Sequence, residues 1–97
     1  MERELLAQEF LTLKQGTESV TAITKMFHER AMFFPEHVST EQARMSRYLS
    51  ILRRDIWEFV ANSSYRTFAE LQENARKREI DLETQAKEEA ELSLIHI

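Results

Sequence analysis

His28-Glu29 is the first pair in this chain that could do chemistry. In an H-E-x-x-H turn, two imidazoles share one helical face and bind zinc beside a general-base carboxylate. Met32 stands where the second histidine is needed, so that zinc reading fails. His28 and His37 lie nine apart across Pro35, which is no ligand spacing. Both read as surface or cap histidines. The chain has no cysteine, which removes thiol catalysis, disulfides and Cys-based zinc sites from these residues. Ser63-Ser64 lacks the glycines of a nucleophile elbow, and a single glycine makes no phosphate-cradling loop. The 17 acidic residues fall at helical spacing beside Lys and Arg, the pattern of a solvated face rather than of paired catalytic carboxylates. The expectation is a protein without catalytic residues, metal or cofactor.

Binding is the next possibility. Arg53-Arg54 and Arg76-Lys77-Arg78 are candidate nucleic-acid contacts. Each is short and followed by acid, Asp55 and Glu79, and the net charge of −4 counts against nucleic acid as the main partner. Trp57 sits about 100° around a helix from Ile56, off the main apolar stripe. Ile51 is displaced similarly from Leu52, and Met26 with Phe33 makes a second ridge. Such surplus apolar residues mean either a wide core contact or an exposed patch for a partner.

The elements that must position these residues are helices. Ninety-seven residues allow one domain at most, and one Gly with one Pro leaves too few turns for a sheet. Hydrophobic content of 42% beside 31% charge fits a folded chain. No run approaches the roughly 18 apolar residues of a membrane span. The opening MERELLAQEF is charged where a signal peptide is apolar. These features predict a soluble cytoplasmic protein with no membrane partner.

Leu6, Phe10 and Leu13 fall at i, i+4 and i+7, an amphipathic helix that stops at Lys14-Gln15-Gly16. There Gly16 is expected to take φ > 0, with Lys14 facing the helix dipole. Thr17 or Ser19 caps a second helix, whose stripe is Val20, Ile23, Phe27, Ala31 and Phe34, ended by Pro35. Ser39-Thr40-Glu41-Gln42 reads as a capping box. Met45, Tyr48, Leu49, Leu52, Ile56, Phe59 and Val60 then keep a 3.6 period, as one long helix or as two bent near Arg53-Arg54-Asp55. Asn62-Ser63-Ser64 marks a turn, and Thr67-Phe68-Ala69-Glu70 a second capping box before Leu71 and Ala75. The expected fold is all-α, a small bundle of four to five short helices. Residues 1–80 are expected to form the domain, truncated at its N-terminus, and 81–91 a solvated acidic helical extension. The last six residues, LSLIHI, are similar to one reading frame of a transposase sequencing adaptor, so 92–97 are read as an assembly artefact.

Taken together, EFLTLKQGTESV, Phe27, FFPEHVSTE, a hydrophobic helix and TFAELQENAR resemble the Gag capsid domain of gypsy-class long-terminal-repeat retrotransposons, plant copies especially. The matching residues are Glu9, Phe10, Leu13, Gln15, Gly16, Ser19, Val20, Phe27, Phe34, Pro35, Leu52, Ile56, Val60, Thr67, Phe68, Leu71 and Ala75, over about residues 4–80. Ala22-Ile23 departs from the family's Glu-Tyr, and Ile51 stands where the family has Gly. The Q-G-x-x-S-V core looks like the transposon version of the retroviral major homology region, part of the capsid C-terminal subdomain.

The resemblance implies a structural, self-associating protein whose copies form a particle shell around element RNA. Gln15-Gly16 would form a turn whose polar groups tie neighbouring helices, and Ile51 with Trp57 would lie on the self-association helix. Partners would be further copies and other Gag subdomains. RNA would be met only through the family's downstream zinc knuckle, which this chain lacks. A Gag-like domain co-opted for another protein partner is the rival, and a helical nucleic-acid binder a weaker one.

Overall fold

In the computed structural model, which describes residues 2–95, the chain forms α1 (Glu2–Leu11), α2 (Val20–Ala31), α3 (Glu41–Ile51), α4 (Arg54–Val60) and α5 (Phe68–Ile95). A 3₁₀ turn at Pro35–His37 joins α2 to α3, and no strand occurs among the described residues. The small all-α bundle expected from the turn-poor composition is the fold.

Three of the helix starts have a side-chain cap. Ser19 is extended, and its hydroxyl accepts the Ala22 amide at 3.1 Å, the cap that opens α2. Thr40 does the same for α3 through Ala43 at 3.0 Å. The N-cap is therefore one residue later than the predicted Ser39 box, and Ala43 at the third helical position cannot reciprocate. Thr67 accepts the Glu70 amide at 3.2 Å, as predicted, but Glu70 reaches back to the Arg66 amide at 2.7 Å. Pro35 does not end α2, which stops at Ala31; it opens the 3₁₀ turn, where its fixed φ costs nothing.

The α2 stripe of Val20, Ile23, Phe27, Ala31 and Phe34 is buried in full. Phe10 of α1 stacks on Phe34 with centroids 5.6 Å apart. Phe27 meets Tyr48 of α3 edge-on at 5.5 Å and Phe68 of α5 at 6.0 Å. Offset and edge-on aromatic pairs of this kind stabilise beyond the area they bury. One polar pair is enclosed with them. Thr24 donates its hydroxyl proton to the Val20 carbonyl at 2.6 Å, so the Tyr48 phenol, 2.7 Å away, is the donor to Thr24. Burial pushes the Tyr48 phenol above its ordinary pKa.

The long apolar stretch after Thr40 is two helices. Leu52 and Arg53 are extended, with ψ of 147° and 150°, and break it there. The break decides the fate of Ile51. With α3 ending at Ile51, Tyr48 and Ile51 share its inner face, and Ile51 is 3% exposed. Ile51 is thus core, which corrects its expected place on a self-association surface. Trp57 is 42% exposed on α4. Phe59, expected in the core stripe, is half-exposed beneath the Arg78 guanidinium, whose Cζ stands 5.0 Å from its ring centroid.

The last helix is longer and better docked than a domain end at 80 implies. Leu71, Ala75 and Glu79 are buried, and Leu82 packs against the core. Residues 83–95 are exposed throughout. Residues 92–95 of the terminal hexapeptide continue α5, while His96 and Ile97 lie outside the described residues. No helix of the described residues is long and apolar enough to cross a membrane.

Candidate functional site: a polar tie and the α4 face

The α1–α2 connection and the α3–α4 break are the two places where backbone groups lose helical partners. The fold sets them against each other, and Gln15 joins them. Its amide donates to the Ile51 carbonyl at 2.7 Å, one of the orphan acceptors closing α3. Its side-chain Oε1 accepts the Arg53 amide at 2.9 Å, ahead of α4, while Nε2 donates to the Glu18 carbonyl at 2.8 Å. Gln15 is 7% exposed, so these bonds are shielded from water. Lys14 adds a fourth strand to the tie, its Nζ donating to the Ser50 carbonyl at 2.6 Å. It therefore faces the C-terminal end of α3, not of its own helix as expected. The role is still charge against a helix C-terminus.

Gly16 departs from expectation. Its φ is not positive, and an added Cβ would meet only the Glu18 carboxylate, 3.7 Å away. Its amide donates to Glu18 Oε2 at 2.8 Å. The turn works through hydrogen bonds, and nothing in its backbone demands a glycine. Of the other motif residues, Leu13 is buried next to the tie, Ser19 caps α2, and Phe10, Val20 and Phe27 form the core. Phe68, half-buried, stacks on Phe27, and its amide donates to Glu41 of α3 at 2.8 Å. Pro35 is exposed at the start of the turn.

Sequence reasoning missed Glu79. Its carboxylate accepts the Val20 amide at 2.7 Å and so caps α2 from α5, across 59 residues. A negative group there also complements the α2 dipole. The signal was available: Glu79 lies four residues after Ala75 and eight after Leu71, on the buried stripe, where an acid needs a partner.

His28 is half-buried between α2, α3 and the start of α5. Its ring is 5.0 Å from that of Phe68, and Nδ1 is 3.4 Å from an Arg44 guanidinium nitrogen. Burial first, and the Arg44 charge second, hold its pKa below the ordinary histidine value. A half-buried imidazole wedged against Phe68 is packing. Among the described residues no three acidic or histidine side chains converge as for a metal ion.

The two basic clusters do not merge into a cationic track. Arg54 pairs with Glu58 at 2.9 Å, and Arg53 Nε lies 3.4 Å from Asp55 without hydrogen-bond alignment. Arg78 bends over Phe59 and donates to the Asp55 carbonyl at 3.3 Å. Arg76 is exposed on α5, and Lys77 lies on a separate groove with Glu70 and Glu73.

The α4 face carries the open apolar feature. Trp57 borders a shallow groove of about 500 Å³ with Leu49, Ser50, Leu52 and Arg54. Leu49, half-buried, borders the groove where sequence reasoning put Ile51, and the buried Leu52 forms its floor. The groove adjoins the Gln15 tie, because its lining residues Ser50 and Leu52 are the chain neighbours of Ile51, whose carbonyl Gln15 binds. Met32 and Phe33 make a second exposed apolar pair after α2, at 80% and 59% exposure. No protein-family model matches the chain, and neither does any curated protein or solved structure.

Proposed function

We propose that this chain is a retrotransposon Gag capsid domain of the gypsy class, a non-catalytic module that self-associates in the cytoplasm into a shell around element RNA. The observation that carries the reading is the Gln15 tie. In the resembling family, the Q-G-x-x-S-V motif is a structural turn that holds helices together. Here Gln15 of that motif bridges the α1–α2 connection to the α3–α4 break through part-buried side-chain hydrogen bonds and a backbone bond, while Ser19 caps α2, a geometry that suits a scaffold.

The contact surface is the α4 face. A half-exposed Trp beside an open groove of Leu49 and Leu52 is the composition of an interface anchor. Weak contacts of this size, repeated many times, let a shell grow cooperatively while each contact stays reversible. The partners in this reading are further copies and other Gag subdomains.

Light scattering behind size-exclusion chromatography, over a wide concentration range, is the test. A mass that grows with concentration is expected. Trp57→Ala should raise the dissociation constant about tenfold or more, each decade being about 1.4 kcal/mol. A monomer mass at every concentration would sink the reading, and unchanged association of Trp57→Ala would remove the α4 face from it. Ile51→Ala serves as contrast, since it should lower Tm rather than weaken association.

A further inference from the structure

Opposite the 3₁₀ turn, α3 presents Ala43, Ser46, Arg47 and Ser50 at i, i+3, i+4 and i+7, one face of the helix. With His37 of the turn they line a cleft of about 430 Å³. Small side chains on α3 leave the space open, and no carboxylate lines it. Arg47 supplies the charge. Its guanidinium Cζ stands 5.7 Å from the Phe10 ring centroid, and it pairs with no carboxylate among the described residues. Lys14 lies outside the lining, but its ammonium donates to the carbonyl of Ser50, a lining residue, at 2.6 Å. The His37 ring, 6.1 Å from that of Phe10, adds an N–H donor in either tautomer, and Ser46 a free hydroxyl. The nearest acid in sequence, Glu36, is occupied by Arg3 at 2.6 Å.

We propose that this cleft binds a small oxyanion of the phosphate class, with Arg47 as the principal charge and Ser46, His37 and Lys14 as surrounding donors. A guanidinium fork matches paired phosphate oxygens bidentately, and such charge-assisted bonds are the strong ones. The net charge of the chain does not oppose this. Residues 2–78 carry twelve basic and eleven acidic side chains, whereas 79–95 carry one basic and six acidic, so the −4 resides on the exposed end of α5. A small anion is favoured over an extended strand, because Arg53, Arg54 and Arg78 are engaged on α4 and prolong no track from the cleft.

The test is a titration of the full chain with inorganic pyrophosphate at low ionic strength, followed by the amide NMR shifts of His37, Ser46, Arg47 and Ser50. ATP in a parallel series separates a free source from a nucleotide-borne one, and tight binding of either supports the site. Saturable shifts confined to the cleft are expected, weakened at least tenfold by Arg47→Gln. Ser46→Glu places a carboxylate in the cleft from an exposed position, and should abolish binding even if Arg47→Gln perturbs the fold. Lys77→Gln, on its own groove, should change nothing. Equal weakening by Lys77→Gln, equal displacement by chloride at matched ionic strength, or tighter binding of single-stranded RNA than of pyrophosphate would each overturn the proposal. None of these readouts depends on self-association.

Discussion

Gln15 shows how much one side chain can decide when it stands between two helix ends. Gln15→Ala removes the acceptor for the Arg53 amide and the donor to the Glu18 carbonyl, both part-buried. The expected loss is about 1–3 kcal/mol, read as a fall in the urea midpoint with the slope unchanged. Gln15→Glu keeps the acceptor but turns a carboxylate oxygen towards the Glu18 carbonyl at a nearly buried position, so it should cost at least as much as Gln15→Ala. Its neighbour behaves differently. Gly16→Ala meets no backbone and no positive φ, and should be neutral or stabilising by up to about 1 kcal/mol through the unfolded chain. A drop of several kcal/mol in Gly16→Ala would mean that the turn needs a conformation only glycine adopts. His28 sets a pH dependence. Its folded pKa lies below 6.5, so the folded state favours the neutral ring and the unfolded chain binds more protons. Its contribution is full above about pH 6.5 and is lost as pH falls through 6.5 towards the folded value. NMR titration of the His28 ring should place its pKa below the ordinary histidine value, and His28→Gln should flatten the acid limb of stability below that value.

Helix by helix, the sequence was legible where periodicity and capping agree. The α2 stripe is buried as read, because one face at spacings of three and four has one place to go once Ser19 caps it. It was illegible where the chain changes phase. A 3.6 period runs through Leu52 and Ile56 whether or not the helix continues, so it could not decide the break at Leu52–Arg53. The Gln15 bonds, 36 and 38 residues distant, with Lys14 on the Ser50 carbonyl, satisfy the backbone groups that two extended residues leave open there. Ile51 was misplaced for that reason, and Leu49 was missed from the groove with it. Glu79 was legible only in part: its place on the buried stripe shows that it needs a partner, but that partner is a backbone amide no side-chain pattern reveals. Glu79→Ala leaves the Val20 amide enclosed without an acceptor, and about 1–3 kcal/mol should be lost. Glu79→Gln keeps an acceptor without the charge on the α2 dipole, and should cost less than half of that. Equal losses in the two variants would show that charge, not hydrogen bonding, is what α2 requires.

The shape of the molecule follows from where α5 stops touching the rest. Its radius of gyration is 16.0 Å, against about 12.5 Å for a compact domain of this length. The excess is the helix beyond Leu82, where 83–95 extend the fold by about 20 Å at 1.5 Å per residue. That segment has no apolar face on the body, so its order rests on local terms. Glu83 to Lys87, the favourable i, i+4 orientation, is worth about 0.2–0.5 kcal/mol, and continuity with a docked helix removes the cost of nucleation. The two halves of α5 should therefore unfold separately. Amides from Leu71 to Leu82 should exchange only through global opening, while those of 83–95 exchange orders of magnitude faster through fraying. Leu71→Ala should cost about 2–5 kcal/mol and lower Tm for the whole molecule. Ala86→Gly, by contrast, should lower helical circular dichroism and leave Tm within a degree or two, because Ala86 is exposed and touches no core residue. If Ala86→Gly lowered Tm as Leu71→Ala does, the distal helix would have to be packed in solution, and the acidic end of α5 would be part of the protein's contact surface rather than a solvated extension.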